Sequence, residues 1–436
     1  MRDLIITAIV FGLLPFILSR VHWGVYLMAW LGYMNPNRLA YGFAYSMPFV
    51  QIVVLVTLAA LFISKEKKRM VWSAETLSLI ILIAWMGITT IFALYPDMAQ
   101  AKYINVLKIQ VITILTLLVL TTRQKVHIFI WIIALSIGYY GVKGGIFTIL
   151  TGGSNHVWGP LGSFIGGNNE LALALIMTVP LIRYLQLNEN NKWIKRGLGL
   201  ALILCIFSII GSQSRGALLG LLAMGSILWY KSSAKLATTL LLATTALIII
   251  PTMPDEWFER MDTIKNYEED DSALQRLNTW KLSTAVANDR ITGGGFQMYT
   301  PAVYKQYAER PEWVFDSHSI YFQMLGEHGY IGLALLIIML ALAWKKCSRI
   351  IKISQVHPDL KWAKELAAMI QVSLVGYCTA GAFLGLAYFD YIYHLIAVVI
   401  VVGDIIERNL KENNNTILKN NEAQNTTKKS MGFIYK

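Results

Sequence analysis

The chain has 436 residues, 56% of them hydrophobic and only 15% charged, against about 25% charged in a soluble domain. A formal net charge of +12 would suit a nucleic-acid binder, but the lysines and arginines fall in short clusters between apolar runs, the pattern of a positive-inside membrane protein. The three cysteines show no ligand spacing, which excludes a zinc site or a disulfide framework as the organising principle.

The first residues, MRDLIITAIVFGLLPFILSR, lack a small-residue cleavage site and read as a retained segment. Apolar segments follow at 4–19, 22–35, 43–64, 74–95, 104–121, 126–150, 170–187, 197–213, 216–231, 236–252, 319–344, 364–387 and 389–406. Many match the roughly 18–25 residues needed to cross a bilayer, although the first two are short and suit a broken hairpin acting as one span. Basic loops occur after every second segment: SKEKKR (64–69), TRQK (122–125), NENNKWIKR (188–196), YKSSAK (230–235) and KKCSRIIK (345–352). The alternation predicts that all five face the cytoplasm. The expected fold is all-α, a polytopic transmembrane helix bundle of about twelve or thirteen spans. It divides into N-terminal helices (1–250), a large outer loop (251–317), C-terminal helices (318–406) and an Asn- and Lys-rich cytoplasmic tail (407–436) expected to be disordered.

The outer loop carries twelve acidic and seven basic residues, including the acidic run YEEDD (267–271), which reads as solvated rather than metal-binding. Short helices are expected near 272–288, packed on the bundle. Trp280, Trp313, Tyr299, Tyr304 and Tyr307 suit the membrane interface.

Chemistry concentrates in a few places. His318 opens DSHSIYFQMLGEHGYIG (316–332), where the outer loop meets an apolar segment. With an unperturbed pKa of about 6.5 it is suited to act as a base near neutral pH, or else only anchors a helix end. Arg215, in the outward turn GSQSRGALLG, runs against the positive-inside trend. It reads as an anion contact or a snorkelling arginine. Arg276 and Trp280 share a helix face at i and i+4, and the guanidinium fork suits a pair of phosphate oxygens. Its alternative is a partner for the acidic run. Lys143, in GYYGVKGGIF, is an ionisable group in the outer half of an apolar segment, either functional or snorkelling. Arg290, in NDRITGGGF, has a local partner in Asp289. In GSFIGGNNELA, Asn168 or Asn169 caps the helix start, or the exposed amides there meet an anion. No Walker A sequence is present, which argues against nucleotide hydrolysis, and no Asp-x-Asp pair suggests a metal.

These residues resemble the bacterial O-antigen ligases and their polymerase relatives. The ligase motif is His, then Asn, Ser or Gln, nine residues, Gly, two residues, then Gly, Thr or Tyr; His318-Ser319, Gly329 and Gly332 fit every fixed position. SQSRGA resembles the family's outward arginine turn, and Arg276 through ITGGGF resembles the segment preceding the histidine. The first 60 residues resemble a narrower branch, the O-glycosylation ligases associated with exosortase A gene clusters. The resemblance implies a GT-C-like fold in the bacterial cytoplasmic (inner) membrane, a periplasm-facing site, and no metal or cofactor. It implies transfer of a preassembled glycan from undecaprenyl pyrophosphate to a hydroxyl of lipid A core or protein, with inversion. In that scheme His318 is the base, Arg215, Arg276 and Lys143 hold the pyrophosphate, and Arg290 and Asn169 are secondary candidates; membrane lipids are partners and nucleic acid is not. One departure is that the family has about twelve spans with both ends inside, whereas thirteen runs occur here. A polymerase, or a transporter of lipid-linked glycan, are the alternatives. A transporter is expected to carry its charges near the bilayer midplane and to show internal repeats, unlike this chain.

Overall fold

The computed structural model describes residues 1–231 and 271–432, with scattered residues between them and side chains as far as Glu412. Most of the segment expected at 236–252, the domain boundary at 250, the acidic run up to Asp270 and residues 433–436 lie outside the described residues. Among the described residues there is no strand, and eight helices are long and apolar enough to cross a membrane. The chain is an all-α, multi-pass membrane protein.

The helices follow the apolar runs closely. They are α1 (Arg2–Ser19), α2 (His22–Met34), α3 (Phe49–Ile63), α4 (Ala74–Ile91), α5 (Pro96–Val119), α6 (Arg123–Leu150), α7 (Asn168–Asn188), α8 (Lys192–Gly211) and α9 (Arg215–Lys231). After the outer segment, with α10 (Asp271–Asp289) and α11 (Pro301–Tyr307), come α12 (Ile320–Ser354), α13 (Lys361–Ala380) and α14 (Asp390–Gly432). Residues that begin helices after basic loops are side-chain caps: Ser73 accepts from Thr76 N–H, Thr122 from Lys125 N–H and Asn191 from Trp193 N–H, each satisfying an otherwise orphaned donor. The last helix runs on to Gly432, through most of the segment expected to be disordered.

The basic loops gather at one end of the bundle. There Glu66 accepts from Lys125 Nζ and His22 Nδ1, both at 2.5 Å. Burial works against that charge, but the two hydrogen bonds hold the Glu66 carboxyl at about 2. Asp404 takes Arg69 at 3.1 Å and Arg408 at 2.9 Å, while Arg408 also donates to the Thr121 carbonyl. The first pair of helices is not one broken span. Ser64 Oγ donates to the Ser19 carbonyl at this basic end, whereas Asp3 accepts from Gly42 and Ala44 N–H at the opposite end. Helices α1 and α2 are therefore antiparallel neighbours, and residue 1 lies at the end remote from the basic loops.

Close packing inside the bundle uses small residues, as expected where no water drives helices together. On α6, a Cβ at Gly145 would lie 2.1 Å from the Leu204 carbonyl oxygen of α8, and one at Gly141 2.4 Å from Cys205 Sγ. The outer segment has its own small core of Leu282, Val286, Met298, Val303 and Tyr304. This corrects the expectation for its tyrosines. Tyr304 is fully buried, with its hydroxyl shared between Thr279 and the Phe315 carbonyl, and Tyr299 hydrogen-bonds the Phe322 carbonyl and Ser283. They build the loop rather than line a membrane surface.

Candidate active site

The stretch 316–332 is broken at Gly329. There φ is +68° and ψ −173° inside an otherwise continuous α12, a region open essentially to glycine alone. The break releases helical carbonyls, and the Gly293–Gly295 turn collects them. Gly294 N–H donates to Gly326 O at 2.8 Å and Gly295 N–H to Glu327 O at 2.9 Å, while Trp85 Nε1 donates to His328 O at 2.9 Å. Arg290 fixes the same turn, reaching the Gly293 carbonyl at 3.0 Å and the Phe92 carbonyl at 2.6 Å. Its guanidinium thus joins the outer segment to the end of α4. Gly332 packs on His328, since a Cβ there would come within 2.3 Å of the histidine Cβ. His328 is fully buried, with Nδ1 against Thr89 Oγ1 at 2.6 Å and Nε2 against the Tyr388 hydroxyl at 2.7 Å. Tyr388 donates to Glu327, whose other oxygen accepts from Gln297 N–H. The second half of the motif is architecture.

His318 is different. It is half-buried, in the left-handed region with φ +43°, a conformation that costs a non-glycine residue about 1–3 kcal/mol and persists only where neighbours enforce it. Those neighbours are visible. Trp280 Nε1 donates to Ser317 O at 2.8 Å, and Gln323 N–H donates to Ser319 O at 2.8 Å. Gln323 Oε1 in turn accepts from Ala387 N–H. Trp280 stacks on Phe322 with centroids 4.7 Å apart and planes within 7°. Among the described residues, no protein group hydrogen-bonds the His318 ring. Burial, then the positive field of Arg276, push its pKa below the usual value, while Asp316 works in the opposite sense. The shift favours the neutral imidazole, the state that accepts a proton.

The arginine turn reaches the same corner through packing. A Cβ at Gly216, next to Arg215, would meet Phe383 at 3.0 Å, and the Phe383 ring lies 6.5 Å from Trp280. The turn is braced from behind by Asn168 Nδ2 donating to Ser212 O at 2.8 Å and Gln213 Nε2 to Gly153 O at 2.9 Å. Asn168 thus ties two segments instead of capping its own helix, and Asn169 sits beside it, half-buried. Lys143 is exposed on α6, on the flank opposite Gly141, Gly144 and Gly145 by helical periodicity.

Sequence reasoning placed Trp280 at the membrane interface, whereas here it is the central brace of the histidine. It missed Phe383, Tyr388 and the turn around them, which lie far along the chain. Glu327 carried a readable signal, an ionisable residue at the edge of an apolar run.

Two protein families match different parts of the chain. Residues 1–190 match a family of unknown function (DUF5935), which is silent on the exosortase branch, and residues 200–337 match the family described as O-antigen ligase. No curated protein matches the chain. The second match holds Arg215, Arg276, Arg290 and the whole of 316–332.

Proposed function

Residues 200–337 make this chain a member of the O-antigen ligase superfamily, a family of ligase- or polymerase-type membrane glycosyltransferases, and from that premise we propose that it moves a preassembled glycan from undecaprenyl pyrophosphate to an acceptor hydroxyl. In this reading the neutral His318 imidazole takes the hydroxyl proton, and the acceptor oxygen forms a bond to the anomeric carbon. The bond from that carbon to the pyrophosphate oxygen breaks, inverting the configuration. The departing pyrophosphate gains charge, and Arg276 and Arg215 stabilise it. Bidentate guanidinium contact suits that role. The full histidine motif favours a ligase over a polymerase. The site end is opposite the basic loops, which by the positive-inside rule supports a site facing the periplasm.

The observation that carries the proposal is His318 held in a left-handed backbone by its neighbours, with Arg276 near enough to act on its charge, a candidate base and a cation at one corner. The test uses purified protein, a lipid-pyrophosphate-linked glycan and lipid A core or protein acceptors. Arg215→Ala and Arg276→Ala are expected to weaken donor binding and abolish most turnover at near-normal protein levels, with Arg215→Lys restoring part of it. Full transfer by both alanine variants would remove the pyrophosphate-clamp reading.

A further inference from the structure

Resting on that reading, we propose that the strap 310–317 is the acceptor subsite, with Phe315 and Asp316 gripping a neutral sugar ring whose hydroxyl is presented to His318. The strap's backbone is pinned inward at three places. Asn278 holds both the N–H and the carbonyl of Arg310 at 3.0 Å, the Tyr304 hydroxyl bridges Phe315 N and O, and Trp280 holds Ser317 O. With its main chain committed to the loop core, the strap offers side chains outward. Phe315 is 39% exposed, and Asp316 and Glu312 are exposed. Trp313 lies under Arg310, 4.3 Å from ring centroid to guanidinium carbon.

Charge separates this side from the donor side. His318 feels Arg276 and Asp316 in opposite senses, so the base sits between a cation and an anion. Glu309 is paired with Lys281 at 2.8 Å and Arg310 is stacked on Trp313, so Glu312 and Asp316 leave the strap with one net negative charge, Asp316 being the carboxylate felt by the histidine. A pyrophosphate or an anionic headgroup is repelled there. A neutral polyhydroxyl ring is not: its C–H face lies on an aromatic ring, and its hydroxyls donate to a carboxylate, a charge-assisted bond. The strap therefore suits a neutral sugar ring better than an anionic group as the acceptor.

The test separates binding from turnover. Saturation-transfer NMR of the detergent-solubilised protein with methyl glycosides of common neutral hexoses is expected to show contact that weakens in Phe315→Ala and Asp316→Asn. Both side chains are exposed, so the fold is expected to hold. In transfer assays with alkyl glycosides, each variant is expected to raise the acceptor KM about tenfold, the loss of one charged or aromatic contact, with the donor KM unchanged. Glycoside contact unaltered by either substitution, or transfer to serine peptides in preference to glycosides, would overturn the assignment. Wild-type protein that binds glycosides through the strap but never consumes the lipid-linked donor would count against the ligase reading and leave the subsite standing.

Discussion

The two ends of the 316–332 stretch obey opposite rules. Around His328 every polar group is used: both ring nitrogens are bonded, Glu327 has two partners, and three carbonyls released by the Gly329 break are recaptured. Around His318 the backbone is held in an unfavourable conformation while the ring keeps its lone pair for something else. A histidine whose nitrogens are both spent in a dry interior is a beam. One fixed by its neighbours' main chain, whose ring meets no hydrogen-bonding protein group among the described residues, is the candidate base. The motif joins the two because the rigid half supplies the frame for the strained half.

The largest effect that would sharpen this contrast is catalytic. His318→Asn is expected to lower turnover by about 10²–10⁴-fold, the usual share of a general base, while thermal stability in detergent stays near wild type. Asparagine is the informative choice because it tolerates a left-handed backbone better than alanine does. Near-wild-type turnover by this variant would erase the distinction between the halves.

Next comes Gly329→Ala. Its φ and ψ are closed to alanine, and the new Cβ would lie 2.1 Å from the Ile291 carbonyl oxygen. A loss of about 3 kcal/mol or more is expected, read as a lower melting temperature and poor yield of folded protein. An alanine variant as stable as wild type would show that the break is not built in.

His328→Ala is expected to cost less, about 1–3 kcal/mol, for hydrogen bonds stripped from a buried site. The surviving folded molecules should turn over nearly as fast as wild type. Lost activity with unchanged stability would reverse the roles given to the two histidines.

The smallest effect is on pH. On the proposed reading the base works only when neutral, so the rate is expected to fall as pH drops through the lowered pKa of His318. Asp316 raises that pKa, and Asp316→Asn should move the acid limb to lower pH. Arg276 lowers it, so residual activity in Arg276→Ala should show a limb at higher pH. A profile indifferent to both substitutions would mean that another group titrates.

Much of the bundle was legible because apolar runs and basic loops are local patterns; twelve of the thirteen runs correspond to described helices. His318 and the Arg215 turn were singled out as candidates for a related reason: a charge or titratable group at the edge of an apolar run stands out against its surroundings. What sequence could not supply was pairing across long separations. Trp280 looked like an interface anchor until Ser317 and Phe322 were seen to receive it. Arg290 looked like a weak site candidate, but it binds a carbonyl at Phe92, nearly two hundred positions away. Lys143 shows the converse, because the glycines around it signalled close packing correctly without revealing that the lysine faces away from it.

The stitch between the Gly293–Gly295 turn and the Gly329 break also bears on traffic. Because that turn is sewn into α12 and, through Leu94 and Arg290, into the end of α4, the back of the outer segment cannot lift as a hinged cover without tearing helical hydrogen bonds. On the proposed reading, a long glycan on a lipid carrier would then be expected to approach from the unsewn flank, sideways from the bilayer, with the carrier's tail staying in the hydrocarbon while its head is unloaded.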